Sequence, residues 1–339
     1  MTRICICGGG SLGHTVAGYV GAKPDFEVSL LTRHPELWGS TIDVIDPSGK
    51  RFAGQLRHVT GDAAEVIPGS DIVLLCLPGF AIESTLRAIS PYLKPTTMVG
   101  TVVSSTGFFF MAHDTLDRSI PLFGFQRVPF IARTVKYGRK ACLKGYKTGL
   151  NVAFEHAGEA QKRHCRTVLE KMLDLPVTML GSHYEVSLTN SNPLLHTSRI
   201  YTLWREWRPG INFDCCPEFY SDWTLEASQY YIAMDNEFQT LLKRLPVTPG
   251  AIPRVLDYYE STDAASLTRK LASIPAFKGI PAPMTRDAQG RYAPDLHSRY
   301  FTEDFPFGLH FIVKVARETN FPAPIMTQVY NWGMHLIQP

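Results

Sequence analysis

The stretch at 8–20, GGGSLGHTVAGYV, decides how this chain is read. It follows RICIC (3–7), a short apolar run of strand character. It also opens a segment in which Leu12, Val16, Tyr19 and Val20 recur at helical spacing. Gly8, Gly10 and Gly13 fit G-x-G-x-x-G in the strand-then-helix setting that gives the pattern meaning. Gly8 permits the tight turn, Gly10 lets the backbone approach a pyrophosphate, and Gly13 lets helix and strand pack closely. The free N–H groups at the helix start then face an anion. Gly8, Gly10, Ser11, Leu12 and Gly13 are therefore candidate dinucleotide contacts. The competing reading is a plain glycine-rich turn.

Further out, FEVSLLT (26–32) reads as a second strand. In an NAD site an acid usually ends this strand and binds the ribose 2′-hydroxyl. Here the end is Thr32-Arg33-His34, with no carboxylate. Arg33 can pair with a 2′-phosphate, so the expected cofactor is NADP(H), with NAD open. Alternatively, Arg33 is a solvated loop residue. SDIVLLCLPG (70–79) and TMVGTVVSST (97–106) read as buried strands, separated by a helical segment at 81–93. Strands alternating with helices imply an α/β, Rossmann-type doubly wound parallel sheet. Ligands bind beyond the carboxyl ends of such strands, which adds Pro78 to the candidates. Residues 119–154 read as further strands. Gln126 and Arg127 follow an apolar strand end there and are candidate substrate contacts, although a basic run is also an ordinary solvated face.

The full chain has 339 residues, enough for two domains. Apolar residues make up 45% and charged ones 19%, so a large core is available. A net charge of +3 gives no reason to expect nucleic acid or a membrane surface as partner. No apolar run reaches a membrane span, and no secretory signal is visible. Seven scattered cysteines suit free thiols in a reducing cytoplasm, and none stands at zinc spacing, so no metal is expected.

The character of the chain changes after residue 180. Ser182 and Glu185 have capping-box spacing, so a helix should begin near Ser182. From there strand signals fade, which places a dinucleotide-binding domain at 1–180 and a mainly α-helical domain at 181–339. TNSNPLLHTSR (189–199) falls within the expected helix, and Pro193 should kink it, with Asn192 and His196 near the bend. A first helix leaving the domain boundary would place His196 in an interdomain cleft; a structural histidine is the alternative. In RYFTEDFPFGL (299–309), charges are interleaved with aromatics ahead of a Pro/Gly turn. Asp304 could orient His196 and favour its charged form, and Arg299 could hold a substrate carboxylate. An Arg299–Glu303 salt bridge is the other reading.

The glycine loop, NPLLH at the start of a helical half, and RYFTEDFPFGL together resemble the octopine/nopaline (opine) dehydrogenases. The resemblance spans both halves. It implies that His196 is the catalytic acid/base, that Asp304 partners it, and that Arg299 binds a substrate carboxylate. It also implies a reaction: a 2-oxo acid such as pyruvate condenses with the amine of an amino acid, and NADPH reduces the imine to a secondary amine dicarboxylate. Arg127 would be a second cationic anchor. The partners expected are these small molecules, with a homodimer open. One rival is a ketopantoate-reductase-like 2-oxo acid reductase. That family is expected to use a lysine in its helical domain, and no lysine lies between Lys171 and Lys243. The other rival is a non-enzymatic NADP(H)-binding sensor.

Overall fold

The structure, a computed structural model, describes residues 1–337. Two compact units divide between Ser187 and Leu188, somewhat beyond the expected 180/181. The first unit begins β1 (Thr2–Cys7), α1 (Ser11–Val20), β2 (Phe26–Leu31), β3 (Thr41–Ile45), β4 (Arg51–Thr60), α2 (Ala63–Val66), β5 (Ile72–Leu75), α3 (Gly79–Ile89) and β6 (Met98–Thr101). It continues with α4 (Phe108–Thr115), β7 (Leu122–Phe125), β8 (Phe130–Lys136), β9 (Lys140–Tyr146), β10 (Leu150–Glu155), α5 (Glu159–Leu173), β11 (Val177–Met179) and α6 (His183–Ser187).

One sheet holds strands β1 to β11 in the order β11-β10-β7-β6-β5-β1-β2-β4-β3-β9-β8. The run from β7 through β4 is parallel throughout. Every residue of β5, β6 and β7 is buried, as central parallel strands covered on both faces require. The parallel expectation fails toward the edges, where β3–β4, β8–β9 and β7–β10 are antiparallel. Short turns dictate two of these. Asp46 Oδ1 accepts from the N–H groups of Ser48 and Lys50 (both 2.9 Å), and Gly49 takes φ +85°, closing the β3–β4 hairpin. Gly138 at φ +66° closes β8–β9. A tight turn can join only antiparallel neighbours.

The helix begun near Ser182 is short. Ser182 Oγ accepts from the Tyr184 N–H (3.2 Å), and Glu185 reaches back to the Gly181 N–H (3.2 Å), a capping exchange shifted by one residue at each end. The Glu185 carbonyl accepts from Gln126 Nε2 (3.1 Å), which ties α6 to the sheet and explains why the first unit runs to Ser187.

The second unit is mainly helical: α7 (Asn192–Trp204), α8 (Leu225–Leu242), α9 (Val255–Tyr258), α10 (Ala264–Ser273), α11 (Arg299–Thr302), α12 (His310–Glu318) and α13 (Pro324–Ile337). A small hairpin, β12 (Met284–Arg286) and β13 (Tyr292–Pro294), interrupts it, and Phe305–Leu309 forms one π-helical turn. The kinked helix expected across Pro193 is not there. The chain leaves α6 at Ser187 and starts α7 afresh, with Pro193 in its first turn. Proline lacks only an N–H that would have no intrahelical partner at that position, so it starts the helix rather than bending it.

Candidate active site

In the first unit, a cavity of about 830 Å³ opens at the carboxyl end of β1, β2 and β5. Gly8, Gly10, Thr32, Arg33 and Pro78 line it. Gly8 has φ +120°, and a Cβ there would lie 2.6 Å from the Cys76 carbonyl oxygen. A Cβ on Gly13 would lie 2.1 Å from the Gly8 oxygen, whereas one on Gly10 would meet nothing within 4 Å. The loop is thus closed against the sheet and open toward the cavity. No side chain caps α1, so the first N–H groups of the helix remain available to an anion. These features fit a dinucleotide pyrophosphate.

The loop is braced from behind by His14, which is fully buried. Its Nδ1 donates to the Gly10 carbonyl (3.0 Å) and its Nε2 accepts from the Gly138 N–H (2.7 Å). Its ring lies 4.0 Å from that of Trp38. Burial lowers its pKa and keeps it neutral. Two expected contacts are engaged elsewhere. Ser11 Oγ bonds Thr134 of β8 through both its N–H (3.0 Å) and its hydroxyl (3.1 Å), and the Leu12 side chain packs on the core. Their backbone N–H groups are what remain for a ligand. Arg33 is exposed at the cavity and makes no ion pair among the described residues. The cavity-lining Asp62 is occupied in capping α2, accepting from the Ala64 N–H (2.9 Å).

In the second unit, His196 and Asp304 meet although 108 residues separate them. His196 Nδ1 donates to Asp304 Oδ2 at 2.8 Å, and both side chains are largely buried (12% and 15% exposed). Close packing brings them together. A Cβ on Gly308 would lie 2.7 Å from Pro193 Cγ, so the absence of a side chain lets the π turn seat on the first turn of α7. His196 is one turn along α7 from Pro193, and Asp304 immediately precedes the π turn.

The other ring nitrogen, Nε2, lies 2.8 Å from the hydroxyl of Tyr220. With a carboxylate on Nδ1, the neutral ring carries its proton there and Nε2 accepts from Tyr220. Phe219 and Tyr300 flank the imidazole at ring distances of 5.8 and 4.7 Å. Burial pushes the Tyr220 hydroxyl well up, so it remains a neutral donor. Tyr220 was not foreseeable, because nothing in EFYSDW (218–223) marks one aromatic for a polar task. The Arg199 guanidinium, one turn beyond His196, is also buried. It donates to the main-chain carbonyls of Phe219 (3.1 Å) and Asp222 (2.6 Å), fixing the loop that carries Tyr220. Burial draws the Arg199 pKa down to about 10, which leaves it charged near neutrality.

Arg299 opens α11, exposed, with no ion pair to Glu303 or any other described residue. Asn192 is exposed in the first turn of α7. Gln126 does not serve as expected: its amide is spent inside the first unit, accepting from Asn151 Nδ2 (3.0 Å) and donating to Glu185. Arg127 is exposed at the end of β7.

Residues 179–337 match the alpha-helical domain of the NAD/NADP octopine/nopaline dehydrogenases. The chain as a whole is similar to the enzymes of that family. Members are oxidoreductases acting on CH–NH bonds with a nicotinamide nucleotide, and so is this chain. Residues 4–105 also match the ketopantoate reductase PanE/ApbA model, which covers the glycine loop and its sheet. Among characterised family members, an opine dehydrogenase of Haliotis discus hannai is 25% identical over 97% of this chain and 88% of its own length. A tauropine dehydrogenase of Arabella iricolor is 26% identical over 99% and 92%. The fold matches an octopine dehydrogenase solved with NADH and L-arginine at a TM-score of 0.85, with 24% identity over 99% of this chain and 90% of that one.

Proposed function

We propose that the protein condenses a 2-oxo acid, such as pyruvate, with the amine of an amino acid and reduces the product with NADPH to a secondary amine dicarboxylate. The observation that carries this reading is His196 held between Asp304 and Tyr220 in the half of the chain that matches the family's helical domain. Bound nucleotide supplies the hydride. The glycine loop and the start of α1 hold its pyrophosphate, and Arg33 pairs with its 2′-phosphate. His196 presents Nε2 to the reacting oxo or imine group and moves the proton. Asp304 fixes the ring orientation and tautomer through Nδ1–H. The Tyr220 hydroxyl marks where a substrate heteroatom meets Nε2. Arg299, with its guanidinium unengaged, binds a substrate carboxylate in a planar, two-pronged contact.

The test follows NADPH oxidation with pyruvate alone and then with pyruvate plus each amino acid. Turnover should require the amino acid, and mass spectrometry should show a secondary amine. Turnover with pyruvate alone, giving a 2-hydroxy acid, moves the assignment to a simple reductase. The ketopantoate-reductase match ends at residue 105, before His196, Arg299 and Asp304, so it bears on nucleotide binding and not on the second substrate.

A further inference from the structure

At the opposite ends of the same sheet's strands, three histidines gather around one carboxylate. Glu155 ends β10 and pairs with Leu122, the first residue of β7. It therefore lies at the amino ends of the parallel strands, whereas the nucleotide cavity lies at their carboxyl ends. His113 comes from the last turn of α4, His156 follows β10, and His183 opens α6. None of these residues belongs to the machinery described above.

The geometry converges. His113 Nε2 bonds Glu155 Oε2, and one ligand atom from each of His113, Glu155 and His156 lies within 4.8 Å of the others. The His113 and His156 ring centres are 5.5 Å apart. His156 adopts φ 54°, a left-handed conformation that few residues with a side chain take up. That turn is what brings its ring back beside His113. On the second carboxylate oxygen, His183 Nε2 lies 3.5 Å from Glu155 Oε1. The His183 side chain is only 7% exposed, and its Nδ1 is buried without a hydrogen-bond partner.

We propose that His113, Glu155 and His156 bind a divalent transition-metal ion of the zinc type, with His183 orienting Glu155. Two imidazoles and one carboxylate make a three-ligand zinc set that leaves a fourth position for water. The absence of sulfur and the presence of imidazole favour zinc and its first-row neighbours over calcium or magnesium. Ligand atoms around tetrahedral zinc stand about 3.4 Å apart, given metal–ligand distances of about 2.0–2.2 Å. Small rotations of these side chains bring the present separations, all within 4.8 Å, to that value. A carboxylate ligand is itself commonly held by an outer partner, which is the place His183 occupies. Sequence spacing could not reveal the set, because its members come from three separate segments.

The experiment uses the full-length protein, freed of metal with a chelator and then dialysed. Zinc is titrated calorimetrically, and cobalt(II) is added in parallel for its visible absorption. The expected result is one equivalent of zinc, a raised Tm, and the intense bands of a low-coordinate cobalt site. His156→Asn keeps a residue that tolerates the left-handed turn but lacks the imidazole, and Glu155→Gln removes the charge. Each removes a direct ligand and should weaken zinc binding by at least about 10-fold, the smallest loss typical even of an outer partner, with unchanged circular dichroism. Failure to bind a stoichiometric equivalent overturns the proposal. So does zinc binding that survives both substitutions together, since the metal would then sit elsewhere, for instance on the exposed Cys215.

Discussion

The two functional regions are assembled in opposite ways. The nucleotide cavity is built around one continuous stretch, residues 8–13, whose chemistry is carried by backbone. The imidazole cluster of the second unit draws on residues 196, 220 and 304, and its chemistry is carried by side chains. A backbone site is fixed by what is missing, here the Cβ atoms of Gly8 and Gly13. A side-chain site is fixed by what packs behind it, here Pro193 against Gly308. Substitutions should therefore damage the first through binding and folding, and the second through turnover.

The largest effect should come from the side-chain site. General acid–base catalysis contributes about 10²- to 10⁴-fold, so His196→Ala should lose that much in kcat while titrating NADPH normally. Asp304→Asn should lose a comparable share. The double variant should be little worse than the poorer single one, because residues acting as a unit are not additive. Steady-state kinetics beside fluorescence titration of NADPH separates turnover from binding. If His196→Ala abolished nucleotide binding instead, the contrast would fail.

The next effect concerns the nucleotide. A charge-assisted contact is worth about 1.5–3 kcal/mol. Arg33→Ala should thus weaken NADPH by about 10- to 100-fold and leave NADH nearly unchanged, as read from paired titrations. Equal or tighter binding of NADH by the wild type would break the assignment.

A smaller loss should follow Gly13→Ala. The new methyl would press on the Gly8 carbonyl, and overpacking of this kind costs about 1–3 kcal/mol. Urea denaturation should show the lost stability, and NADPH affinity should fall with it. Smallest of all, Tyr220→Phe removes one neutral hydrogen bond, worth about 0.5–1.5 kcal/mol. It should change kcat/KM by about tenfold or less, with a comparably small shift of the denaturation midpoint.

How much was legible in the sequence follows from the same contrast. The glycine loop could be read because its residues are neighbours in the chain and each answers a local steric demand. The pairing of His196 with Asp304 could be read from their motifs, but Tyr220 and Arg199 could not, since tertiary packing alone selects them. Pro193 was placed correctly and understood wrongly: proline marks a break in the hydrogen-bond ladder, and sequence does not say whether the break lies inside a helix or at its start. Strands within 119–154 were legible as parts of the sheet but their places were not, because β8 and β9 return to its far side beside β3.

Arg199 has a consequence for how such a protein can diversify. Both of its bonds go to carbonyl oxygens of the main chain, which every amino acid possesses. The hydrogen bonds of this clamp on the 219–222 loop are therefore indifferent to side-chain identity. Side chains of this loop can change without removing the acceptors that hold its backbone beside the imidazole, within the packing limits set by the buried Phe219, Tyr220 and Trp223.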